Sequence, residues 1–477
     1  MKVRVHRRWE SKLPPDDDHP YRTGAWRPNL VEYDADELDV IEGRIPAELE
    51  GTYLRNTENP LLPSIGRYHP FDGDGMIHAI RFGGGKASYR NRFVQTRGLA
   101  AELEAGAPLW AGIVEPPASS LREDGWGART RMKDASSTDV VVHGGRAIST
   151  FYQCGDAYEL ALDTLETIGT ARWAPRWGVS AHAKVDERTG ELMWFAYSTE
   201  APYLKCGIVD ARGETVMERD VPLPGPRLPH DMAFTERFLV LNDLPLYWSP
   251  DEIARGIYRP RFHRDQPSRF ALVPRRPSTS LGANGVMWFE AQPTYVLHWI
   301  NAFERGDEVV LDGFAQANPT PRPDPADGPY AGVRKMTDLH AMNARPHRWR
   351  FDLRTGKTKE EPLGDSVFEF PTVDARDAGR AYRRAICMSA VPNWFLFDGI
   401  LSLDVETGAI ARYTWPDGTY GSEAPISGDY AMSFVSSDAA GECQIFRVDA
   451  IADGPIARIA LPERVCAGTH AAFTSRA

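Results

Sequence analysis

Four histidines of this chain share one kind of position, at the start or the end of a short apolar segment that predicts a buried strand. They are His182 in VSAHAKV, His230 in LPHDMAF, His298 in TYVLHWINAF and His470 in CAGTHAAF. Any one of them alone is most simply an ordinary core histidine, but the shared placement distinguishes the group. In a β-propeller the inner strands of different blades converge, so histidines 48, 68 and 172 residues apart can reach one ion. We therefore predict that all four bind a single metal.

The ligand type indicates which metal such a site would take. Four neutral imidazoles, with no thiolate among them, suit a borderline transition metal such as Fe(II). Because imidazoles carry no charge, nearby carboxylates are expected to accept their second ring N–H groups and to offset the charge of the ion. Glu369 in SVFEFPTVD and Glu423 in YGSEAPISG are the candidates, since each lies among apolar or small residues where an unpaired carboxylate is costly. An ordinary exposed loop glutamate is the alternative at both positions.

A recurring turn predicts the elements that position these residues. An apolar strand ends in aspartate, a turn containing glycine or threonine follows, and a second strand begins. The pattern recurs near Asp163, Asp186, Asp210, Asp352 and Asp404. Aspartate caps the next amides of such a turn, and glycine supplies the left-handed residue. Units of four strands and about 45 to 65 residues would give about seven blades of a propeller. On the turns alone, a large sandwich or barrel is the alternative.

We predict one all-β propeller domain over residues 36–477, preceded by an irregular N-terminal arm over residues 1–35. Helical patterns are few. The clearest is AAELEAGAPLWAGI at residues 100–113. Loops and short helices are therefore expected to cap the metal face of the propeller.

Composition excludes several classes of function. The 477 residues carry a formal net charge of −11, and binding to phosphate backbones requires a basic face, so no nucleic-acid partner is expected. No apolar run reaches the roughly 18 residues that span a bilayer, and the basic N-terminus lacks the apolar core of a signal peptide. The five cysteines never form C-x-x-C, which is typical of a reducing compartment. We expect a cytoplasmic protein, with peripheral membrane contact as an open alternative.

Taken in order, these motifs resemble the carotenoid cleavage oxygenase family, which includes apocarotenoid oxygenases and lignostilbene dioxygenases. The matching pieces cover most of the chain, from EGRIPAELEGTYLRNTENP and RYHPFDGDGMIHAIRF through SAHAKVDERTGE, LPHDMAFTERFLVLND, TYVLHWINAFERGDEVVLDGF and FEFPTVD to GTHAAF. The resemblance implies a seven-bladed β-propeller with one Fe(II) per chain (Fe2+), held by the four histidines. It also implies that Glu369 and Glu423 hydrogen-bond the ligand histidines. The implied reaction inserts O2 across a conjugated C=C bond and gives two carbonyl products.

Two positions depart from the family pattern. Where the family has a third such glutamate, this chain has Gln153 in STFYQCGDAYEL, so its metal site is expected to be more positive than usual. Where lignostilbene-cleaving members have a lysine, it has Tyr152, and Ile113 stands near the position of their tyrosine. The clamp for a phenol is therefore expected to be absent, which favours a long apolar polyene. Four aromatic residues are candidates for a substrate tunnel, although core positions would suit them equally: Phe71, Trp110, Tyr152 and Trp299.

We predict a non-haem Fe(II) dioxygenase that cleaves a conjugated C=C bond of a carotenoid or apocarotenoid with O2. An oxygenase of stilbenes or phenylpropanoid alkenes on the same fold is one alternative. A propeller that binds or isomerises polyenes without cleaving them is another. A calcium-dependent lactonase-type propeller would need carboxylate ligands, whereas the motifs offer histidines.

Overall fold

The computed structural model describes residues 1–276 and 285–475. Antiparallel strands are the main regular element of this part of the chain. By the density of its internal contacts the chain divides into two compact units. The first unit comprises Met1–Ala181, Leu396–Ser402 and Ala411–Ala477, and the second comprises His182–Phe395 and Leu403–Ile410.

The strands of the described residues have the following bounds. In chain order they are β1 (Val3–Arg8), β2 (Val31–Ala35), β3 (Val40–Gly43), β4 (Gly51–Glu58), β5 (Gly75–Gly83), β6 (Lys86–Phe93), β7 (Asp139–His143), β8 (Arg146–Thr150), β9 (Tyr158–Ala161), β10 (Thr167–Thr170), β11 (Lys184–Asp186), β12 (Glu191–Tyr197), β13 (Leu204–Val209), β14 (Thr215–Asp220), β15 (Ala233–Phe234), β16 (Phe238–Asp243), β17 (Leu246–Tyr247), β18 (Arg261–Phe262), β19 (Ser268–Pro274), β20 (Met287–Ala291), β21 (Trp299–Arg305), β22 (Glu308–Gln316), β23 (Ala344–Asp352), β24 (Thr358–Pro362), β25 (Glu369–Thr372), β26 (Arg384–Ala390), β27 (Phe397–Asp404), β28 (Ile410–Thr414), β29 (Ile426–Ser427), β30 (Tyr430–Ser436), β31 (Gly441–Arg447), β32 (Ala457–Ala460) and β33 (Ala471–Thr474).

Three sheets lie in the first unit. Their strand orders are β1-β2-β6-β5-β4-β33, β10-β9-β8-β7 and β29-β30-β31-β32-β3. Strands distant in sequence complete two of these sheets, because β33 pairs with β4 and β3 pairs with β32. A buried core that includes Tyr53, Ile80, Phe434 and Ile445 lies between the first and the third sheet.

The second unit contains three further four-stranded sheets, β11-β12-β13-β14, β15-β16-β19-β20 and β21-β22-β23-β24, together with the ribbon β17-β18. Its core includes Phe270, Trp299 and Trp349. A seventh sheet has the order β25-β26-β27-β28. Seven antiparallel sheets that follow one another along the chain are the blades of a propeller, so the predicted fold class, an all-β seven-bladed β-propeller, is confirmed.

The aspartate turns form as the sequence predicts. Asp352 Oδ1 accepts the backbone N–H groups of Arg354 and Thr355, at 2.9 and 3.0 Å, in the turn from β23 to β24. Asp404 Oδ1 caps the turn from β27 to β28 in the same way. Each cap satisfies amides that the strand ladder leaves without a partner, so one sequence pattern repeatedly produces one hairpin.

Helices are few and short within the described residues. They are α1 (Arg97–Ala105), α2 (Pro250–Ile253), α3 (Ala331–Met336) and α4 (Leu339–Met342), with 3-10 turns at Gly24–Trp26, Pro70–Asp72, Pro117–Ser119, Pro325–Asp327 and Ile451–Asp453. The helix predicted over residues 100–113 instead begins at Arg97 and ends at Ala105. Thr96 Oγ1 caps its start by accepting the Leu99 N–H, and Gly106, at φ 68°, ends it.

The prediction of an irregular arm over residues 1–35 is wrong for two segments. Val3–Arg8 forms β1 and pairs with β2, Val31–Ala35, at the edge of the first sheet. All six residues of β1 are exposed, so the alternation of Val3 and Val5 with Arg4 and His6 does not mark a buried face. The domain boundary near residue 35 and the single domain over residues 36–477 stay predictions.

Candidate metal centre

Three of the predicted ligand histidines lie together in the second unit. His182 precedes β11, His230 precedes β15 and His298 precedes β21. Their ring centroids are 5.0 Å apart for His182 and His230, 5.1 Å for His182 and His298, and 5.2 Å for His230 and His298. The three residues are only 2, 7 and 5% exposed. The three imidazoles thus lie close together in the interior, each just before the start of a strand. We call His182, His230 and His298 the histidine triad.

The spacing of the histidine triad fits a shared transition metal. An imidazole nitrogen lies about 2.1 Å from such an ion, which places the ring centroid roughly 3.2 Å from it. Two rings at about 90 to 110° around the ion then lie about 4.5 to 5.2 Å apart. The observed separations of 5.0 to 5.2 Å fall within that range. The ligand type agrees as well, since three imidazoles suit iron and its neighbours among the transition metals.

His182 has a backbone conformation that most residues avoid. Its φ is 66°, in the left-handed region. For a residue with a Cβ this conformation costs about 1 to 2 kcal/mol, although histidine, asparagine and aspartate occur there more often than other side chains. Backbone strain of this kind concentrates at functional sites, where the surrounding structure enforces it.

Glu369 orients one ring of the histidine triad. Its Oε2 lies 2.7 Å from His298 Nδ1 and also accepts the backbone N–H of Phe370 at 2.8 Å. Glu369 is fully buried in β25, and this burial raises the pKa of its carboxyl group well above the usual range. When the carboxylate accepts the proton of Nδ1, the other ring nitrogen, Nε2, is the one that can coordinate a metal.

The first unit contains the same arrangement a second time. Glu423 Oε1 lies 3.2 Å from Nδ1 of His470, and its Oε2 accepts the backbone N–H of Ala471 at 2.5 Å. His470 precedes β33, just as His298 precedes β21. In both pairs a buried glutamate contacts Nδ1 of a histidine. Glu423 also holds the residue after its histidine, whereas the second bond of Glu369 is to its own neighbour, Phe370. Both glutamates are buried and paired with histidines, so the alternative of exposed loop residues is wrong for each.

Gln153 lies in the turn that follows β8 and is buried. Its backbone carbonyl accepts the N–H of Ala128 at 2.6 Å. Within residues 1–276 and 285–475, no donor reaches its side-chain Oε1. The predicted contact between Gln153 and a ligand histidine stays a prediction.

Two of the predicted tunnel aromatics contact each other in the first unit. The rings of Phe71 and Tyr152 lie 6.1 Å apart at 83°. Burial raises the pKa of the Tyr152 hydroxyl to about 12, so it is neutral at physiological pH. Ser180 Oγ donates to the Tyr152 carbonyl at 3.0 Å and so links this segment to the residues just before His182.

The other two predicted tunnel aromatics pack among neighbouring side chains. Trp110 is buried against Trp126, and its Nε1 donates to the carbonyl of Asp124 at 2.7 Å. Trp299 lies in the core of the second unit, with the rings of Phe270 and Trp349 5.8 and 5.5 Å away. Trp299 therefore packs in the core, and its place in a substrate tunnel stays a prediction.

One buried carboxylate beside the histidine triad was not singled out from the sequence. Asp231 directly follows His230, and its side chain is 1% exposed. Its oxygens contact the chain close to both His182 and His298. The only signal for it in the sequence is its position next to a candidate ligand, because its partners are remote in sequence.

Comparison with known proteins identifies the family. The model of the RPE65 family, described as retinal pigment epithelial membrane protein, matches residues 26–475. The chain belongs to this family. The family predicted from the histidine motifs is thereby confirmed.

Curated relatives of this family member carry two kinds of name. A carotenoid 9,10(9',10')-cleavage dioxygenase 1 of Phaseolus vulgaris is 28% identical in an alignment 510 positions long, gaps included. The alignment covers 98% of this chain and 91% of the relative. A lignostilbene-alpha,beta-dioxygenase isozyme III of Sphingomonas paucimobilis is 28% identical in an alignment 492 positions long. This alignment covers 94% of this chain and 95% of the relative.

Solved structures support the fold. The lignostilbene dioxygenase of Pseudomonas brassicacearum superposes with a TM-score of 0.82 at 25% identity and covers 97% of this chain and 99% of its own. A variant of Synechocystis apocarotenoid oxygenase gives a TM-score of 0.79 at 22% identity, with 94 and 97% covered. Among the residues described for this family member, no helix is both long and apolar enough to cross a bilayer.

Proposed function

We propose that this chain is a non-haem Fe(II) dioxygenase that cleaves a conjugated C=C bond of a carotenoid or apocarotenoid with O2 and releases two carbonyl products. The enzyme class, an oxygenase, is confirmed by the family and by the names of its relatives. The observation that carries the proposal is the buried histidine triad, whose spacing fits one transition metal.

His470 completes the proposed ligand set as a fourth imidazole. Two features support this assignment. His470 stands at a strand entry like the other three, and its Nδ1 is held by Glu423 as that of His298 is held by Glu369. A solved structure with a TM-score of 0.78 is described as cobalt-substituted Synechocystis apocarotenoid oxygenase, so that protein is described with cobalt in place of another metal. We assign one Fe(II) per chain to the four histidines here.

The protein supplies orientation and a dry environment in this proposal. Glu369 and Glu423 fix the tautomers of His298 and His470, so the rings need no rearrangement when the ion binds. When bound, iron supplies the redox chemistry that lets O2 react with a conjugated double bond. The burial of the histidine triad keeps water from the reacting atoms, and the binding site holds one double bond over the ion.

The substrate is assigned to the polyene class. Relatives named for carotenoid cleavage cover 91% or more of this chain. Tyr152 stands where the family pattern predicts a lysine in lignostilbene-cleaving members, so this position offers no positive charge to a phenolate. A stilbene or phenylpropanoid alkene is the second candidate, because a lignostilbene dioxygenase of equal identity is also among the relatives. O2 as co-substrate, a cytoplasmic location and peripheral contact with a membrane belong to the same proposal.

Oxygen uptake tests the proposed reaction. Iron-loaded protein is incubated with a carotenoid, an apocarotenal and a hydroxystilbene, while O2 consumption is recorded and aldehydes are identified by mass. We expect one O2 consumed per bond cleaved and faster turnover of the polyenes. Turnover of the hydroxystilbene alone would replace the substrate class. Protein that holds one iron per chain but consumes no O2 with any substrate would contradict the oxygenase and favour binding or isomerisation of polyenes.

The Gln153→Glu variant tests whether glutamine, in place of the family glutamate, makes the metal site more positive. We expect it to retain iron and to lower the Fe(III)/Fe(II) potential, because an added negative charge stabilises the more highly charged ion. For an assumed separation of roughly 6 Å between the added charge and the ion, and an effective dielectric constant near 20, the expected contribution is about 3 kcal/mol, which is on the order of 100 mV for one electron. Metal analysis and a redox titration measure both effects.

A matched control for Gln153 is available in the first unit. Gln444 is a buried glutamine of β31, and its Oε1 accepts the Trp415 Nε1–H at 2.9 Å. Gln444→Glu also introduces a carboxyl group, next to Glu442, which accepts from Gln444 Nε2 at 2.9 Å in the wild type, and this variant is expected to leave the potential unchanged. Complete loss of iron from Gln153→Glu would show that Gln153 does not stand beside a ligand histidine.

A further inference from the structure

Asp231 contacts the chain beside all three members of the histidine triad. It follows His230 directly in sequence. Its Oδ2 accepts the backbone N–H of Trp299, the residue after His298, at 2.9 Å. Its Oδ1 lies 2.8 Å from Nζ of Lys184, two residues after His182. One carboxylate therefore joins the three segments that deliver the imidazoles.

The residue is anchored by its main chain as well. Oδ1 also accepts the N–H of Met232 at 2.7 Å. The carbonyl oxygen of Asp231 accepts the indole Nε1–H of Trp299 at 3.2 Å and the side-chain amide of Asn242 at 2.8 Å. Trp299 is thus held at two points, by its main-chain amide and by its ring. A shift of Asp231 would move the start of β21 and, with it, His298.

We propose that Asp231 is a positioning residue that sets the spacing of the histidine triad and thereby the affinity of the metal site. The inference rests on the proposed function, because it concerns the metal that the triad would bind. Asp231 acts through the backbone of the ligand segments, whereas Glu369 acts on an imidazole ring directly.

Charge explains why a carboxylate is used at this position. An aspartate accepts from Lys184 and from two main-chain amides at once, and bonds to ionised groups are shorter and about twice as strong as neutral ones. Lys184 supplies the opposite charge that a buried carboxylate requires. The Lys184 side chain is 29% exposed, whereas that of Asp231 is 1% exposed. A partly exposed lysine therefore neutralises a carboxylate that lies in the interior. Asparagine keeps one acceptor for the Trp299 amide but loses the attraction to Lys184.

The test compares Co(II) binding by metal-free wild type and by Asp231→Asn. Co(II) serves as the probe because its visible absorption reports the number and geometry of its ligands independently of turnover. We expect a dissociation constant about 10- to 100-fold higher in the variant, the usual cost of losing a partner outside the ligand set. We also expect a changed absorption spectrum, since the segment that carries His182 is no longer attracted to residue 231 through Lys184.

Asp34 provides the matched control. It is a buried aspartate of β2 that binds Nη2 of Arg92 and Nη2 of Arg4, each at 2.8 Å, within the first sheet. Asp34→Asn removes a comparable buried ion pair and is expected to lower thermal stability. Its Co(II) dissociation constant and spectrum are expected to match those of the wild type. The comparison separates positioning of the metal site from general loss of stability.

A second variant covers the case in which Asp231→Asn does not fold. Lys184→Met keeps both main-chain bonds of Asp231 and releases only the segment that carries His182. We expect the same changes in Co(II) affinity and spectrum, at smaller amplitude. Wild-type Co(II) affinity and spectrum in every folded variant of the pair would overturn the positioning role. A wild-type protein that binds no Co(II) at one ion per chain would instead refute the proposed metal site itself.

Discussion

Replacing His298 by alanine is expected to abolish iron binding and to lower oxygen-dependent turnover by at least a factor on the order of a thousand. A catalytic metal contributes several kcal/mol to the stabilisation of charge in a transition state, and each 1.36 kcal/mol corresponds to about a tenfold change in rate. His298 lies 5.1 and 5.2 Å from the other two rings of the histidine triad, so its removal opens one side of the site. Metal analysis and O2 uptake measure the two effects.

The control for this variant is another histidine of the second unit that pairs with a glutamate. Nε2 of His347 lies 3.4 Å from Glu360, between β23 and β24. His347→Ala is expected to keep one iron per chain and turnover within about twofold of wild type, since His347 is partly buried in β23 and is not one of the proposed ligands. Full iron occupancy in the His298→Ala variant would remove His298 from the ligand set.

Glu369→Gln is expected to weaken metal binding by about 10- to 100-fold while the protein stays folded. Groups that hydrogen-bond a ligand histidine contribute this much to affinity when they are mutated. Glutamine keeps an oxygen that can accept the Nδ1–H of His298 and the N–H of Phe370, but it carries no charge to offset the ion. Titration of metal-free protein with Fe(II) under anaerobic conditions gives the dissociation constant, and thermal unfolding reports the fold.

Glu360→Gln is the corresponding control, because it changes the same residue type in the pair outside the site. The two glutamates differ in the property that matters, since Glu369 is fully buried whereas the side chain of Glu360 is 24% exposed. We expect unchanged metal affinity in Glu360→Gln. Equal affinities in wild type and Glu369→Gln would show that the carboxylate charge does not act on the metal.

The hairpins could be predicted because their information is local. An aspartate and the amides two and three residues later are enough to define each turn, as at Asp352 and Asp404. The two strands then follow from apolar residues on either side. The positions of His182, His230 and His298 at strand entries were readable for the same reason, although their convergence required the fold of a propeller.

Contacts between remote segments could not be read from the sequence. Asp231 takes its role from Lys184 and Trp299, which lie 47 residues before it and 68 residues after it. The sequence leaves the surroundings of Trp299 open, because a large aromatic residue beside a candidate ligand suits either a cavity or a core. Its packing against Phe270 and Trp349 depends on strand pairing, which composition does not specify.

Strand β1 was missed for a different physical reason. It lies at the edge of the first sheet, and both of its faces are exposed. Main-chain hydrogen bonds to β2 hold it in place. Because its side chains bury no face, the sequence gives no burial pattern from which the strand could be recognised. An edge strand rich in arginine is also disfavoured as a partner for another sheet, because charge opposes edge-to-edge pairing.

The left-handed backbone at His182 has a consequence for protein engineering. A φ of 66° is compatible with aspartate and asparagine, whose short polar side chains tolerate this region, and is much less compatible with glutamate or with β-branched residues. A designer who wishes to convert an all-imidazole centre into one with a carboxylate should therefore introduce aspartate at this position and reserve glutamate for a ligand with ordinary extended geometry. The main chain at His182 thus restricts which chemistries the scaffold can be redesigned to host.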